Sequence, residues 1–292
     1  MFDQIASNRR RSYLLIVLFV LLIAGIGYAF GLLTELGYYA VIPAAVIAIL
    51  IAWSSYYYSD RIVLSMSRAK PASRREEPYL WNTVEALSIA AGLPVPRLYI
   101  IEDSAPNAFA TGRDPQHAAV AVTRGLLDKL NRLELEGVVA HEMSHIGNYD
   151  IRLMTLVTVL VGTVVLLSDW MARSLRYGRR GRGKGGAGGL VVLVALVFLI
   201  LSPVIARLIR FAISRQREFL ADASGALMTR YPEGLASALE KLFADTDPLE
   251  VANKATAHLY IINPLTEHKG WTNTLFSTHP PLAERVARLR AM

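Results

Sequence analysis

The sequence is typical of a mainly α-helical membrane protein that carries a smaller α+β part outside the bilayer. Apolar residues make up 53% of its 292 residues and charged residues only 19%, below the roughly 25% that is usual for soluble domains. The apolar residues lie in four uncharged blocks, which raise the mean hydropathy to +0.34. This composition excludes an ordinary soluble protein and a disordered chain, and the absence of cysteine excludes a disulfide-stapled scaffold.

The first two apolar blocks, residues 13–33 and 36–58, predict membrane-spanning helices. They contain 21 and 23 residues without a charge, and a hydrocarbon core about 30 Å thick needs roughly 20. Only Thr34 and Glu35 separate them, so the two helices are expected to form a tight hairpin. A cleaved secretory signal is the alternative for the first block, but the block is longer than a signal core and no small-residue cleavage site precedes the second block.

Positive charge flanks this hairpin on both sides and predicts its orientation. Three arginines at 9–11 precede it, and five basic residues follow it: Arg61, Arg68, Lys70, Arg74 and Arg75. Because cytoplasmic loops carry the excess of lysine and arginine, we expect a multi-pass cell-membrane protein whose N-terminus and chain after residue 58 are cytoplasmic. A membrane surface also explains the net charge of +7 and the pI near 9.7 better than nucleic-acid binding does.

Two later apolar blocks, residues 153–168 and 185–206, bring the predicted number of hydrophobic helices to four. The first of them is short enough to be a buried core helix instead of a span. Six basic residues between positions 173 and 184 would lie outside the cell if both blocks crossed the membrane, which opposes the charge rule. A shallow re-entrant hairpin avoids that conflict, and the sequence leaves the alternatives open.

Outside these blocks, periodicity and turn signals predict an α+β part with a small sheet. Helices are expected over 76–91, 124–147, 207–244 and 281–292, and strands over 97–102, 107–112 and 118–123. The predicted organisation is an N-terminal hairpin (1–60), a first soluble segment (61–152), a second hydrophobic hairpin (153–206) and a second soluble segment (207–292). The two soluble segments are expected to form one domain.

The motif that carries chemistry is His141-Glu142-Met143-Ser144-His145. On a helix, positions i and i+4 share a face, so both imidazoles can reach one metal ion, while Glu142 can reach a water beside that ion. This is the H-E-x-x-H arrangement of zincin metallopeptidases. Two incidental histidines on an amphipathic helix are the alternative, but the apolar neighbours predict a buried helix, where unpartnered imidazoles are costly.

A catalytic zinc site needs a third protein ligand. Since the chain has no cysteine, that ligand must be His, Asp or Glu, and Ile151 stands where a metzincin would have its third histidine. The best local candidate is Glu218, which shares a helix face with Asp222 four residues later. In this interpretation Glu218 binds the metal and Asp222 contacts a ligand histidine. The alternative is an exposed acidic pair that answers the charges of Arg215 and Arg217.

The positions of these ligands also constrain the second hairpin. His145 lies eight residues before the stretch 153–206, and Glu218 lies twelve residues after it. If both bind one ion, the stretch must leave and return on the same side of the membrane. At 1.5 Å per helical residue, the ion is then expected within roughly 12–18 Å of the membrane boundary.

With these residues the chain resembles a known family. H-E-M-S-H-I-G-N-Y-D, R-E-F-L-A-D, N-A-F-A-T-G and S-T-H-P-P, together with the hydrophobic blocks, are similar to the HtpX group of membrane zinc metallopeptidases, which are related to the CAAX prenyl proteases. The resemblance implies a zincin-like catalytic domain with one Zn²⁺ at His141, His145 and Glu218, and Glu142 as general base. It also implies a cytoplasm-facing site that degrades misfolded or damaged membrane proteins in quality control and stress response.

Two further segments are candidates for substrate contacts. Residues Asn107, Ala108, Phe109 and Ala110 are predicted to pair as a strand with the substrate backbone, and the alternative is an ordinary hairpin strand. By the resemblance, His279 donates to the oxyanion and Arg285 orients His279 or the substrate carbonyl. The alternative for the second segment is a C-terminal cap whose arginines, including Arg288 and Arg290, are solvated.

Other functions were weighed against this one. A prenyl-protein peptidase is the second candidate, although that activity would be expected to need a large enclosed chamber among more helices than four. A non-enzymatic, metal-stabilised membrane protein is the third, but the four apolar blocks contain no charge of the kind that a transport path needs. The expected partners are the membrane and protein substrates, without nucleic acid, and the sequence leaves the oligomeric state open.

Overall fold

The computed structural model describes residues 2–32, 37–163, 214–251, 256–262, 264 and 280–292. Helix α1 (Phe2–Leu32) and helix α2 (Val41–Met66) follow each other with a single 3-10 turn, Gly37–Ala40, before the second. Within them, Ile5–Tyr28 and Gly37–Met66 are long and apolar enough to cross a membrane. The described part of the protein is therefore mostly helical and contains two candidate membrane helices, both longer than the apolar blocks that predicted them.

One face of α1 is buried between Asn8 and Phe19, whereas many residues on its other faces are exposed. Asn8, Ser12, Leu15 and Phe19 follow one another at helical spacing, and each is at most 2% exposed. The apolar part of this face packs against helix α6, which covers residues 150–163 as far as the chain is described. The third apolar block thus begins as a helix against the first two. The rest of the second hairpin, 164–206, and the first part of the helix predicted over 207–244, 207–213, lie outside the described residues.

A four-stranded mixed sheet lies beside these helices. Its strands are β1 (Lys70–Pro71), β2 (Arg97–Ile101), β3 (Ala108–Gly112) and β4 (Ala118–Thr123), in the order β1-β2-β4-β3. β2 and β4 are parallel, and the other two pairs are antiparallel. Strand β3 is therefore at one edge of the sheet, and the two-residue strand β1, which was not predicted, is at the other.

Six further helices complete the described fold. They are α3 (Pro78–Ala91), α4 (Arg124–Lys129), α5 (Arg132–Gly147), α7 (Arg215–Thr229), α8 (Pro232–Ala244) and α9 (Leu282–Arg290). The continuous helix expected over 124–147 is interrupted because Leu130 and Asn131 are extended. The side chain of Asn131 caps α5 in a reciprocal box with Glu134, which starts a new helix at that point.

Helix α5 is the centre of the largest apolar core, between the sheet and the helices α3, α7 and α8. Two glycines allow its neighbours to approach closely. A Cβ at Gly137 would lie 2.6 Å from the backbone nitrogen of Leu235 in α8, and a Cβ at Gly225 in α7 would lie 3.1 Å from the backbone nitrogen of His141. The second contact holds α7 directly against the part of α5 that carries the histidines.

Candidate metal centre

Three buried side chains from two helices converge on one point. His141 and His145 are one turn apart on α5, and Glu218 is in the first turn of α7. The Nε2 atoms of the two histidines are 3.2 Å apart. The Glu218 carboxylate lies 3.9 Å from the Nε2 of His141 and 3.7 Å from that of His145. One donor atom from each residue fits within 4.8 Å of the others, so the structure brings the three predicted ligands together.

Each histidine has a carboxylate beside its second ring nitrogen. Nδ1 of His141 lies 2.9 Å from Oδ1 of Asp222, and Nδ1 of His145 lies 3.0 Å from Oδ2 of Asp150. A carboxylate favours the proton on Nδ1, which leaves the Nε2 lone pairs free to bind a metal. Two lone pairs and a carboxylate that meet in a buried space repel one another without a cation, and this arrangement fits a divalent metal ion.

In the metal-free protein a proton takes the place of the cation. Burial lowers the pKa of His145, but the hydrogen bond to Asp150 and the nearby carboxylates of Glu218 and Glu142 outweigh it and raise the pKa to about 9. The Nε2 atoms of His141 and His145 are 3.2 Å apart, which is hydrogen-bond distance. A metal ion that binds to His145 at neutral pH must displace its proton.

A buried ion pair supports the first of these histidines. Arg285, at the start of α9, donates from Nε and Nη2 to the two carboxylate oxygens of Asp222 at 2.9 Å and 2.7 Å. Burial raises the pKa of Asp222, but Arg285 and His141 outweigh it, and the net pKa is lowered. Asp222 is thereby kept ionised beside His141, and a third donor of Arg285, Nη1, reaches the carbonyl of Ile261 at 3.3 Å.

Glu142 lies on the same helix and faces the edge strand of the sheet. Its carboxylate is 2% exposed and accepts a hydrogen bond from the backbone N–H of Ala110 in β3. Burial raises the pKa of Glu142, and the lowering effect of His141 and His145 does not offset it. A carboxylate whose proton affinity is raised in this way is suited to general base catalysis.

The outward edge of β3 is partly covered by the segment 256–262. Asn107 and Thr123 bond to each other across β3 and β4, so Ala108 and Ala110 direct their backbone groups away from β4. The carbonyl of Ala108 accepts the N–H of Ile261 at 3.0 Å, and the side chain of Asn107 bonds to Ile262. Phe109 points to the other face, where its ring packs edge-on against Tyr260 at 5.1 Å. Of the predicted substrate strand, Ala110 is the member that contacts the site.

The C-terminal candidates fall into two groups. His279 lies outside the described residues, whereas Arg285 is 2% exposed and contacts the metal cluster through Asp222. Arg288 and Arg290 are exposed, so solvated arginines describe these two but not Arg285. Sequence reasoning missed two contributors, Asp150 and its partner Asn8. Asp150 ends the H-E-M-S-H-I-G-N-Y-D stretch, and its position was the only signal.

Comparison with known proteins agrees with this geometry. The profile of peptidase family M48 matches residues 74–292, three quarters of the chain. The chain belongs to peptidase family M48. Curated relatives extend the match to the whole chain: it is 49% identical to the "Protease HtpX homolog" of Dictyoglomus turgidum and covers 94% of that protein. It is 48% identical to the homologue of Thermoanaerobacter pseudethanolicus and 46% identical to that of Listeria innocua, over 98% and 100% of their lengths.

The fold has a counterpart among solved structures. The crystal structure of S. mikatae Ste24p superposes with a TM-score of 0.50 at 17% identity, over 99% of this chain and 67% of that one. The HtpX resemblance expected from the motifs is therefore confirmed, and the chain is an HtpX-like membrane metalloprotease in which His141, His145 and Glu218 can hold a metal ion. Membership of a peptidase family favours an enzyme over the non-enzymatic, metal-stabilised alternative.

Proposed function

We propose that the protein is a zinc endopeptidase that hydrolyses misfolded or damaged membrane proteins at the cytoplasmic face of the cell membrane, as part of quality control under stress. The observation that carries this proposal is the position of the metal cluster. Asp150, which touches the ligand His145, is also the first residue of α6, and α6 packs on the candidate membrane helix α1. A site at the base of membrane helices suits substrates that are themselves in or beside the bilayer.

Zinc is the metal that this donor set favours. Two imidazoles and one carboxylate, with no thiolate in the chain, are the ligands of catalytic zinc sites that keep a position open. Zinc held by His141, His145 and Glu218 would supply Lewis-acid activation of water and of the scissile carbonyl. One ion per chain is expected, because the described residues contain a single such group of donors.

The reaction itself depends on proton movement at Glu142. Its carboxylate takes the proton of the attacking water and then delivers it to the leaving amine, which requires a pKa above that of an ordinary glutamate. The hydrogen bond from the Ala110 N–H fixes one side of the carboxylate, and His141, His145 and Glu218 are close enough to influence its charge. Glu142 is therefore buried and also held in a defined orientation by the strand.

Substrate binding is proposed at the edge of β3. An extended substrate chain would pair with the outward backbone groups of the strand from Asn107 to Ala110, which recognises main chain rather than sequence. Pairing at Ala108 requires release of the Ile261 N–H from its carbonyl and release of its own N–H from Oδ1 of Asn107. An Ala108→Pro variant removes an outward donor and is expected to slow cleavage, and an unchanged rate would exclude pairing at this residue.

Stabilisation of the oxyanion is assigned to the C-terminal segment. His279 would donate to the developing negative charge, and Arg285 would support it from its position against Asp222 and Ile261. Loss of one such donor typically lowers turnover about 10²–10³-fold. In a folded, zinc-loaded His279→Ala variant, turnover within a few-fold of wild type would assign this histidine a structural role.

The test of the proposed function uses the full-length protein in detergent. We expect the zinc-loaded protein to cleave casein and an unfolded membrane protein, to lose this activity when a chelator removes the metal, and to regain it when zinc is returned. The folded form of the same membrane protein is the control and should be cut slowly. Cleavage of a prenylated peptide alone would instead support the prenyl-protein peptidase, and zinc-loaded protein without any peptidase activity would overturn the proposal.

A further inference from the structure

The corner between α5 and α6 connects the metal cluster to the N-terminal membrane helix. Asp150 is 1% exposed, and its two carboxylate oxygens have different partners. Oδ2 lies 3.0 Å from Nδ1 of His145, while Oδ1 accepts a hydrogen bond of 2.7 Å from Nδ2 of Asn8 in α1. The same amide donates to the carbonyl of Asn148 at 2.9 Å, so Asn8 bonds to two residues of the corner.

The backbone of this corner is held in an unusual conformation. Tyr149 has a φ of +59°, the left-handed region that residues with a Cβ rarely adopt. The guanidinium groups of Arg9 and Arg152 lie over its ring, at 5.1 Å and 5.2 Å from the ring centre. This turn places Asp150 against the histidine five residues before it, and a residue of α1 again contributes to holding it.

A positive charge completes the surroundings of Asp150. Nη1 of Arg217 lies 3.8 Å from its Oδ1, and Arg217 directly precedes the predicted ligand Glu218 on α7. Asp150 therefore receives contacts from α1, α5 and α7 at once. A carboxylate fixed from three sides holds the imidazole that it touches in one orientation.

From these contacts we infer that Asp150 and Asn8 are positioning residues of the metal site, and that the packing of the N-terminal membrane helix sets the orientation of His145. The inference rests on the proposed zinc site but adds a requirement to it. Asn8 lies 142 positions before Asp150 in the chain, on a different helix. The site is therefore complete only when α1 is packed against the α5–α6 corner.

The test measures zinc affinity in the full-length protein by competition with a chromophoric chelator. Asp150→Asn is expected to weaken zinc binding about 10–100-fold, the usual effect of removing the partner of a ligand histidine. Asn8→Ala should weaken it about tenfold, at the low end of that range. Ser12→Ala is the matched control, because Ser12 is equally buried one turn further on and bonds only to the carbonyl of Asn8 in its own helix.

A double variant separates positioning from a general loss of stability. The amide in Asp150→Asn has one acceptor oxygen, for which Asn8 and His145 compete, so adding Asn8→Ala should cause no further loss of zinc affinity. Additive losses, or an Asn8→Ala variant that matches Ser12→Ala, would overturn the inference. If the wild-type protein neither binds stoichiometric zinc nor cleaves casein, the proposed function itself is wrong, and this inference fails with it.

Discussion

Each of the two proposed ligand histidines is one end of a short polar chain. His141 continues through Asp222 to Arg285, and His145 continues through Asp150 to Asn8. In a buried site such chains fix the orientation of each ring and the ring nitrogen that carries the proton. These contacts hold the two rings with their Nε2 atoms beside the carboxylate of Glu218.

The first prediction at this scale concerns the third ligand. Glu218→Ala should lose both zinc and peptidase activity, because two imidazoles do not complete a three-ligand site. Zinc content measured by atomic absorption, together with casein cleavage, checks this. Glu233→Ala is the control. Glu233 lies on α8 and forms an exposed ion pair with Arg290 of α9, so its loss should leave both zinc content and activity unchanged. Stoichiometric zinc in Glu218→Ala would require a different ligand.

The second prediction follows from the raised pKa of His145. The pKa of His145 is raised to about 9, so this histidine is protonated at neutral pH in the metal-free protein. Zinc binding at neutral pH must therefore release that proton. Apparent zinc affinity should thus increase with pH, by up to about tenfold per pH unit, and level off near the pKa. Competition titrations corrected for protonation of the chelator measure this, and an affinity independent of pH would contradict the assignment.

Local spacing predicted which site residues share a helix face, but it did not predict the contacts between distant helices. The spacing of His141 and His145 fixes their common face on a helix, and the same argument pairs Glu218 with Asp222. No local pattern joins Asn8 to Asp150, because their contact depends on how two distant helices pack. The bond between Glu142 and Ala110 was missed for the same reason, since it depends on the position of the sheet edge relative to α5.

Among the elements, α5 is the one on which the site depends. Its first turn is fixed by the capping box of Asn131 and Glu134, and Glu134 also accepts hydrogen bonds from Ser237 and Lys241 in α8. A glycine at each close approach then sets the distance of α7 and α8 from α5. The precision of the metal cluster is a consequence of these helix–helix distances.

The prediction at this scale is a pH-dependent stability effect at Glu134. Burial raises its pKa, but the bonds to Lys241, Ser237 and Asn131 outweigh it and lower the pKa below its usual value. A lowered pKa in the folded state adds stability above the unfolded pKa, and this stability is lost as the pH falls through the folded value. Glu134→Gln should therefore cost about 1 kcal/mol at neutral pH and less in acid.

Thermal midpoints in detergent across a pH series measure this effect. Glu136→Gln is the matched control, because Glu136 is on the same helix but pairs only with the exposed Arg132. Such surface pairs contribute little, so the control should change the midpoint only slightly at every pH. A Glu134→Gln effect that stays constant into acid would show that the carboxylate charge is not its source.

The helices and strands were predictable where the sequence shows hydrophobic periodicity bounded by turn residues. The apolar blocks locate α1 and α2 but not their ends, since polar residues such as Ser59 and Asp60 continue the helix. The two-residue strand β1 has no pattern long enough to detect. The interruption between α4 and α5 depends on the cap at Asn131, which is a local signal that periodicity alone does not register.

For the whole molecule, a candidate membrane helix is in direct contact with the catalytic segments. The N-terminal helix both packs on α6 and bonds to the corner that contacts His145. The composition predicted a membrane protein, but no sequence pattern predicted that the membrane helix contacts the site. The orientation of the hairpin stays a prediction from the distribution of basic residues.

That orientation has a direct test, because the chain contains no cysteine. Tyr38→Cys places an exposed thiol between α1 and α2, and Arg75→Cys places one at the start of the catalytic segment. In intact cells a membrane-impermeant maleimide should label Tyr38→Cys, and should label Arg75→Cys only after permeabilisation. The reverse pattern would place the active site outside the cell.

In the proposed mechanism, a metal held on α5 and α7 works with Glu142 as the base. The most direct measurement compares wild type with Glu142→Gln for zinc content and casein cleavage in the same preparation. Since Glu142 is not a ligand, the variant should keep one zinc per chain while cleavage falls about 10²–10⁴-fold. A zinc-loaded Glu142→Gln variant that cleaves casein within a few-fold of the wild-type rate would contradict the account.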